Sequence, residues 1–208
     1  MPVTVLIADD HFVVRSGLVA SLGLEADIRV VAEADSAAPV VDLFRTHSPS
    51  VVLMDVRLGA GDDGITATEK LCDEFPDARV LLFSTHGRDE DVFRAVKAGA
   101  KGYLLKTAPR DELLRAVRAV AAGNRYLPPA LADRLAERLA QPDPSPRERE
   151  ILHLIRRGKS NKEIGAALFI AEDTVKRHVS NLLAKLAVAD RAEAVAVAIR
   201  RGLLPDEG

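Results

Sequence analysis

The sequence predicts an α/β protein, a doubly wound five-stranded parallel sheet, followed by a small all-α domain of four helices. Three observations lead there. Short Val/Ile/Leu runs recur along the first 122 residues with helical spacing between them. Strand-like runs end after Gly123. Beyond the proline-rich QPDPSP segment at 141–146, helix-start signals follow one another closely.

The strands come first. Apolar runs lie at VTVLIA (3–8), IRVVAEA (28–34), VVLM (51–54), RVLLF (79–83) and GYLL (102–105). They mostly lack alternation with polar residues, which is how parallel strands buried on both faces read. Between them, Val14, Leu18 and Leu22, or Val92, Ala95 and Val96 before Gly99, fall on single helical faces. Five strands alternating with five helices give the doubly wound sheet. A linker helix is expected over 127–141, with proline near its start. Ser145-Pro146-Arg147-Glu148 and Ser160-Asn161-Lys162-Glu163 are capping boxes, and Asp190-Arg191-Ala192-Glu193 resembles a third. With 171–186 between the last two, they divide the tail into four helices. The resulting domains are 1–122, a linker at 123–143, and 144–208.

Composition narrows the class. At 208 residues the chain accommodates two small cores. Its 48% hydrophobic and 29% charged content is ordinary for a soluble globular protein. No apolar run approaches the roughly 18 residues of a membrane span, and MPVTVLIADD lacks the basic start of a secretory signal. Cys72 is the only cysteine, which excludes an intrachain disulfide and a thiolate metal cluster. A cytoplasmic location is expected. The net charge of −2 conceals an asymmetry. Residues 1–123 hold 19 acids and 14 bases (−5), whereas 124–208 hold 12 and 15 (+3). The basic rear hints at nucleic acid.

In a doubly wound sheet, ligands sit beyond the carboxyl ends of the strands. Those ends carry Asp9 and Asp10, Asp55, Ser84 and Thr85, and Lys106. Taken singly, Asp9 and Asp10 suit a helix cap, Ser84 an ordinary loop donor and Lys106 a solvated charge. Together, three carboxylates, two hydroxyls and an ammonium suit a hard divalent cation, Mg²⁺ or Mn²⁺, beside a phosphoryl group. Aspartate is a known covalent nucleophile for such transfer. Asp62 and Asp63 are read as loop and helix-cap residues.

Residues 1–122 resemble the receiver domain of two-component response regulators, through DDH (9–11), LMD (53–55), FST (83–85) and GYLLK (102–106). The resemblance implies a flavodoxin-like receiver in which Asp55 accepts a phosphoryl group from a sensor histidine kinase. Asp9, Asp10, Asp55 and the backbone carbonyl of Arg57 would hold Mg²⁺ (or Mn²⁺). Ser84 would be the switch hydroxyl with Thr85 beside it, Lys106 the phosphate partner and Tyr103 the switch aromatic. Arg57 and His86 would tune dephosphorylation; a lone exposed loop histidine also suits no role at all. His11 reads as first-turn structure close to the site. The sequence departs from the family at the loop after Asp55, which usually reads D-x-x-[ML]-P-x-x-D-G. Gly59 stands in the proline position, and Gly64 lies nine residues on rather than eight. The Gly59-Ala60-Gly61 stretch therefore carries one extra residue and more backbone freedom.

In the tail, AEDTVKRHVSNLLAKL (171–186) places Val175, Val179, Leu182, Leu183 and Leu186 on one stripe. Arg177, Ser180, Asn181 and Ala184 lie opposite, flanked by Lys176 and Lys185. Such a face suits a DNA major groove, and equally an ordinary solvated helix. Lys162 and the group Arg156, Arg157 and Lys159 are candidate phosphate contacts. Residues 144–195 resemble the LuxR-type helix-turn-helix of the NarL/FixJ regulators, through PREREIL, SNKEI and TVKRHVSNLLAKL. That implies base contacts by Lys176, Arg177 and Ser180, dimerisation through the helix 190–202, and a two-fold double-stranded DNA site. Ala171 occupies a common capping-serine position, an omission worth about 1 kcal/mol.

The expected function is a DNA-binding transcriptional regulator switched by phosphorylation of Asp55, acting as a homodimer. Two other readings compete. One is a phosphorylation-independent DNA binder whose irregular loop no longer supports the metal. The other is a dehalogenase-like phosphatase, which would want an aspartate where Arg57 stands.

Overall fold

The computed structural model describes residues 2–59, 63–140, 142–201 and 203–204. They form two compact units, residues 1–87 with 91–133, and residues 88–90 with 134–208. The expectations on Ala60, Gly61 and Asp62, on Gln141 and on Gly202 fall outside the described residues.

In the first unit the apolar runs become five parallel strands. They are β1 (Val3–Ala8), β2 (Ile28–Ala34), β3 (Val51–Asp55), β4 (Val80–Ser84) and β5 (Gly102–Leu105). The intervening helices are α1 (Phe12–Gly23), α2 (Val40–His47), α3 (Gly64–Glu74), α4 (Asp89–Lys97) and α5 (Arg110–Ala121). The sheet order is β2-β1-β3-β4-β5. β3 and β4 are buried along their whole length, which explains their unbroken hydrophobicity. A core of Val5, Ile7, Leu53, Leu81, Phe83 and Leu104 packs against Leu113, Leu114 and Val117 of α5.

That order places the functional edge. The chain leaves β1 for β2 on one side and returns for β3 on the other, so β1 and β3 flank the crevice where the winding reverses. Asp9 and Asp10 follow β1 and Asp55 ends β3, so this crevice gathers three carboxylates. β3 extends to Asp55 and β4 to Ser84, one residue beyond the apolar runs.

Gly64 secures the next helix against the site. A Cβ there would lie 1.8 Å from the Asp55 carbonyl oxygen, so only glycine lets α3 start so close. Asp63 caps α3 by accepting the Ile65 amide at 3.0 Å.

The second unit is helical: α6 (Pro129–Leu139), which begins in the first unit's residues, α7 (Pro146–Arg156), α8 (Asn161–Leu168), α9 (Glu172–Leu186) and α10 (Arg191–Arg200). Both capping boxes form, Ser145 with Glu148 on α7 and Ser160 with Glu163 on α8. The third differs. Asp190 caps the Glu193 amide at 2.9 Å, but the Glu193 carboxylate accepts from Ala189 instead of returning to Asp190. Ala171 supplies no side-chain cap to α9. The stripe Val175, Val179, Leu182 and Leu186 packs with Ile151, Ile155, Ile164 and Ala198, and Leu183 sits at its partly buried edge. α8 turns into α9 through Phe169, which is left-handed (φ 55°) and 96% exposed. Among the described residues, no helix is long and apolar enough to cross a membrane.

Candidate functional site

Lys106 organises the crevice. Its Nζ donates to Asp9 Oδ2 at 2.7 Å and to Asp55 Oδ2 at 2.6 Å. Asp9 is 1% exposed and Asp55 5%, so these carboxylates depend on internal partners. Their remaining oxygens accept backbone donors. Asp9 Oδ1 takes the His11 amide at 2.9 Å, and Asp55 Oδ1 takes the Arg57 amide at 3.2 Å. Burial pushes the Asp55 carboxyl above its ordinary value, against the opposing pull of Lys106. Burial would depress Lys106, but its bonds to the two carboxylates outweigh that and hold it protonated.

Asp10 differs from its neighbours. Its Oδ2 accepts the Gly59 amide at 2.9 Å, while Oδ1 is buried with no aligned hydrogen-bond donor among the described residues. His11 Nδ1 lies 2.7 Å from that Oδ1 without such alignment. One ligand atom each from Asp9, Asp10, His11 and Asp55 lie within 4.8 Å of one another. Buried carboxylate oxygens, one of them unsatisfied, are a donor set of the kind a hard cation takes. His11, read from sequence as first-turn structure, thus also offers an atom to this cluster. Its adjacency to the aspartate pair in DDH was the available signal.

The hydroxyl side lies at the end of β4. Ser84 is buried, and its Oγ accepts the His86 amide at 3.2 Å. Thr85 is exposed and its Oγ1 is 2.8 Å from His86 Nδ1, so it faces its own loop. Tyr103 is buried and donates its hydroxyl to the His86 carbonyl at 2.8 Å. The aromatic of β5 and the hydroxyl of β4 thus hold the same short loop. Arg57 is exposed, and it forms an antiparallel bridge with Asp63. That bridge joins the two ends of the irregular loop. With the Gly64 amide bonded to the Val56 carbonyl at 2.9 Å, the flanks of Asp55 are fixed despite the insertion.

On the second unit, Lys176, Arg177, Ser180 and Asn181 share the exposed face of α9, and Lys162 is exposed at the start of α8. Lys176 is held by Asp173 at 2.9 Å, an exposed pair of little energetic weight. Lys185 is a correction to the sequence reading. Its ammonium bonds Glu148, a buried capping-box carboxylate, at 2.7 Å, so it serves the packing of α9 on α7 rather than the exposed face.

Residues 5–118 match the response regulator receiver domain. The chain belongs to the response regulators. Residues 145–198 of this response regulator match the luxR family of bacterial regulatory proteins, which makes its second unit a LuxR-type DNA-binding domain. It is 41% identical over 210 residues to the transcriptional regulatory protein LiaR of Bacillus subtilis, covering 97% of this chain and 99% of that one. It is 41% identical over 208 residues to the probable transcriptional regulatory protein NarL of Mycobacterium tuberculosis, covering 97% and 96%. The crystal structure of ChrA, the response regulator of a heme-sensing two-component system, matches at 40% identity with a TM-score of 0.57, covering 98% and 99%. The response regulator is therefore of the NarL/FixJ class, a two-component transcriptional regulator, and its family is one of regulators rather than enzymes.

Proposed function

We propose that Asp55 is the phosphoacceptor and that its phosphorylation by a sensor histidine kinase controls DNA binding. The observation that carries this reading is Lys106 Nζ bound at once to Asp9 and Asp55 in a buried crevice. The Asp55 carboxylate attacks the phosphorus of a phosphohistidine, a P–O bond forms as the P–N bond breaks, and an acyl phosphate results. Lys106 then exchanges a carboxylate oxygen for a phosphoryl oxygen. Asp9, Asp10, Asp55 and the backbone carbonyl of Arg57 would hold Mg²⁺ (or Mn²⁺). When bound, the cation neutralises charge on the transferring phosphoryl group. Phe12 and Val13, 71% and 80% exposed just after the aspartate pair, offer the kinase an apolar landing.

Ser84 then donates its hydroxyl to the phosphoryl group, which alters its bond from the His86 amide. Tyr103 holds the carbonyl of that same residue, so the β4–α4 loop and Tyr103 shift together. Thr85 stands beside Ser84 on the phosphate-binding side, and Arg57 and exposed His86 tune the loss of the phosphoryl group at the crevice mouth. The shifted population forms a homodimer, through the helix 190–202 in the second domain, and engages a two-fold double-stranded DNA site. Lys176, Arg177, Ser180 and Asn181 read the groove, and Lys162 meets phosphate. We assign residues 1–122 as receiver, 123–143 as linker and 144–208 as DNA-binding domain, acting in the cytoplasm.

The test is treatment with acetyl phosphate and Mg²⁺ followed by intact mass. The wild type gains one adduct of about 80 Da, the mass of a phosphoryl group in acyl-phosphate chemistry, and Asp55→Asn gains none. An unmodified wild type defeats the proposal and leaves phosphorylation-independent DNA binding in its place.

A further inference from the structure

The loop after Asp55 departs from its family by putting glycine in the proline position, and the geometry points to a use for that departure. We infer that the Gly59 amide is a positioning group for the divalent cation: it clamps one oxygen of Asp10 so that the other is presented to the metal. This rests on the reading of Asp9, Asp10 and Asp55 as the cation site.

Three observations support the inference. First, the two oxygens of Asp10 are treated differently. Oδ2 accepts the Gly59 N–H at 2.9 Å, whereas Oδ1 is buried, has no aligned donor among the described residues and lies 2.7 Å from His11 Nδ1; one oxygen of Asp10 joins the cluster with Asp9, His11 and Asp55. A carboxylate with both oxygens free rotates, and one with a fixed oxygen offers the other in a defined direction. Orienting partners of this kind commonly change metal affinity by roughly ten-fold or more.

Second, Gly59 is not kept small by crowding. A Cβ there meets nothing within 4 Å among the described residues. What the position uses is its backbone, with φ at +78° and an N–H that donates to Asp10. Proline has neither, because its ring fixes φ near −65° and removes the donor. The family's usual residue could not make this bond.

Third, the clamp is anchored. The Arg57–Asp63 bridge closes the loop base, and Asp63 is tied further by its cap on Ile65 and by Arg94. The donor thus projects from a fixed base across 49 residues of sequence to Asp10.

The experiment compares wild type with Gly59→Pro, which lacks the donor, and Gly59→Asn, which keeps the N–H and tolerates positive φ. Mn²⁺ serves as an EPR-visible probe in the unphosphorylated full-length protein, with Mg²⁺ as competitor. The proline variant should bind Mn²⁺ roughly ten-fold more weakly, and the asparagine variant should match wild type within about two-fold. In acetyl phosphate reactions, the Mg²⁺ concentration for half-maximal rate should rise in Gly59→Pro while the rate at saturating Mg²⁺ stays. A proline variant that binds Mn²⁺ as wild type does overturns the inference. Should Gly59→Pro fail to fold, Asp10→Ala decides by amide exchange. The Gly59 N–H, followed by ¹⁵N NMR, should exchange with solvent about ten times faster when its acceptor is gone, and an unchanged rate overturns the inference. If wild type takes no phosphoryl group while Mn²⁺ still separates the variants, the phosphorylation reading falls and the clamp stands.

Discussion

At the scale of the residue, Lys106 carries more of the molecule than any neighbour of Asp55. Its single ammonium compensates two carboxylates that have almost no access to water. Replacing it with methionine keeps the packing volume but leaves Asp9 and Asp55 facing each other uncompensated. Removing one partner from a buried ion pair typically costs about 3 kcal/mol or more. Lys106→Met should therefore lower the urea-unfolding free energy by about that amount near neutral pH. The loss should shrink as pH falls, because Asp55, already pushed upward by burial, takes up a proton in place of the lysine. A pH-independent difference between the two proteins would count against this account. Asp55, Asp10 and Lys106 were legible from strand ends alone. The Gly59 donor was not, since an exposed loop amide has no signature in sequence. Lys185 misled for a related reason: helical spacing gives a side chain's angle but not whether a carboxylate of another helix waits there.

At the scale of the element, the caps of the second domain show sequence patterns converting into geometry. Ser160 and Glu163 satisfy each other's backbone amides at the start of α8, with Lys159 added at 3.0 Å. The Ser160 amide and the Lys159 ammonium hold the Glu163 carboxyl down at about 2, from an ordinary 4.5. A depressed carboxyl contributes stability above its ordinary value, and that contribution disappears as pH falls through the folded value. Urea-unfolding curves followed by circular dichroism should thus place wild type above Glu163→Gln at about pH 6, with the gap closing toward about pH 3 and below. A gap of constant size would show that the charge of Glu163 is irrelevant to the cap. The elements themselves read well from sequence, because buried parallel strands and boxed helix starts are local patterns. The Arg57–Asp63 bridge did not, since it pairs residues across an irregular loop. Nor did Glu193, whose carboxylate reaches one residue past the expected amide.

At the scale of the whole molecule, the two units differ in how far apart in sequence their partners lie. The second is built from neighbouring helices and local caps, while the crevice joins Lys106 to Asp9 across 97 residues. This has a consequence for time rather than for equilibrium. Loop-closure entropy makes long-range parallel pairing slow, whereas helical units rich in local contacts form in microseconds to milliseconds. The C-terminal unit should therefore fold ahead of the N-terminal one after dilution from denaturant. The chain supplies its own reporter, because it has no tryptophan and both tyrosines, Tyr103 and Tyr126, lie in the first unit. In stopped flow, an early rise in helical circular dichroism should precede the change in tyrosine fluorescence, and superimposed traces would refute that order. During synthesis the receiver emerges first, yet its crevice stays unassembled until β5 has left the ribosome. A nascent chain cannot accept a signal before the segment that follows its last strand is already being made.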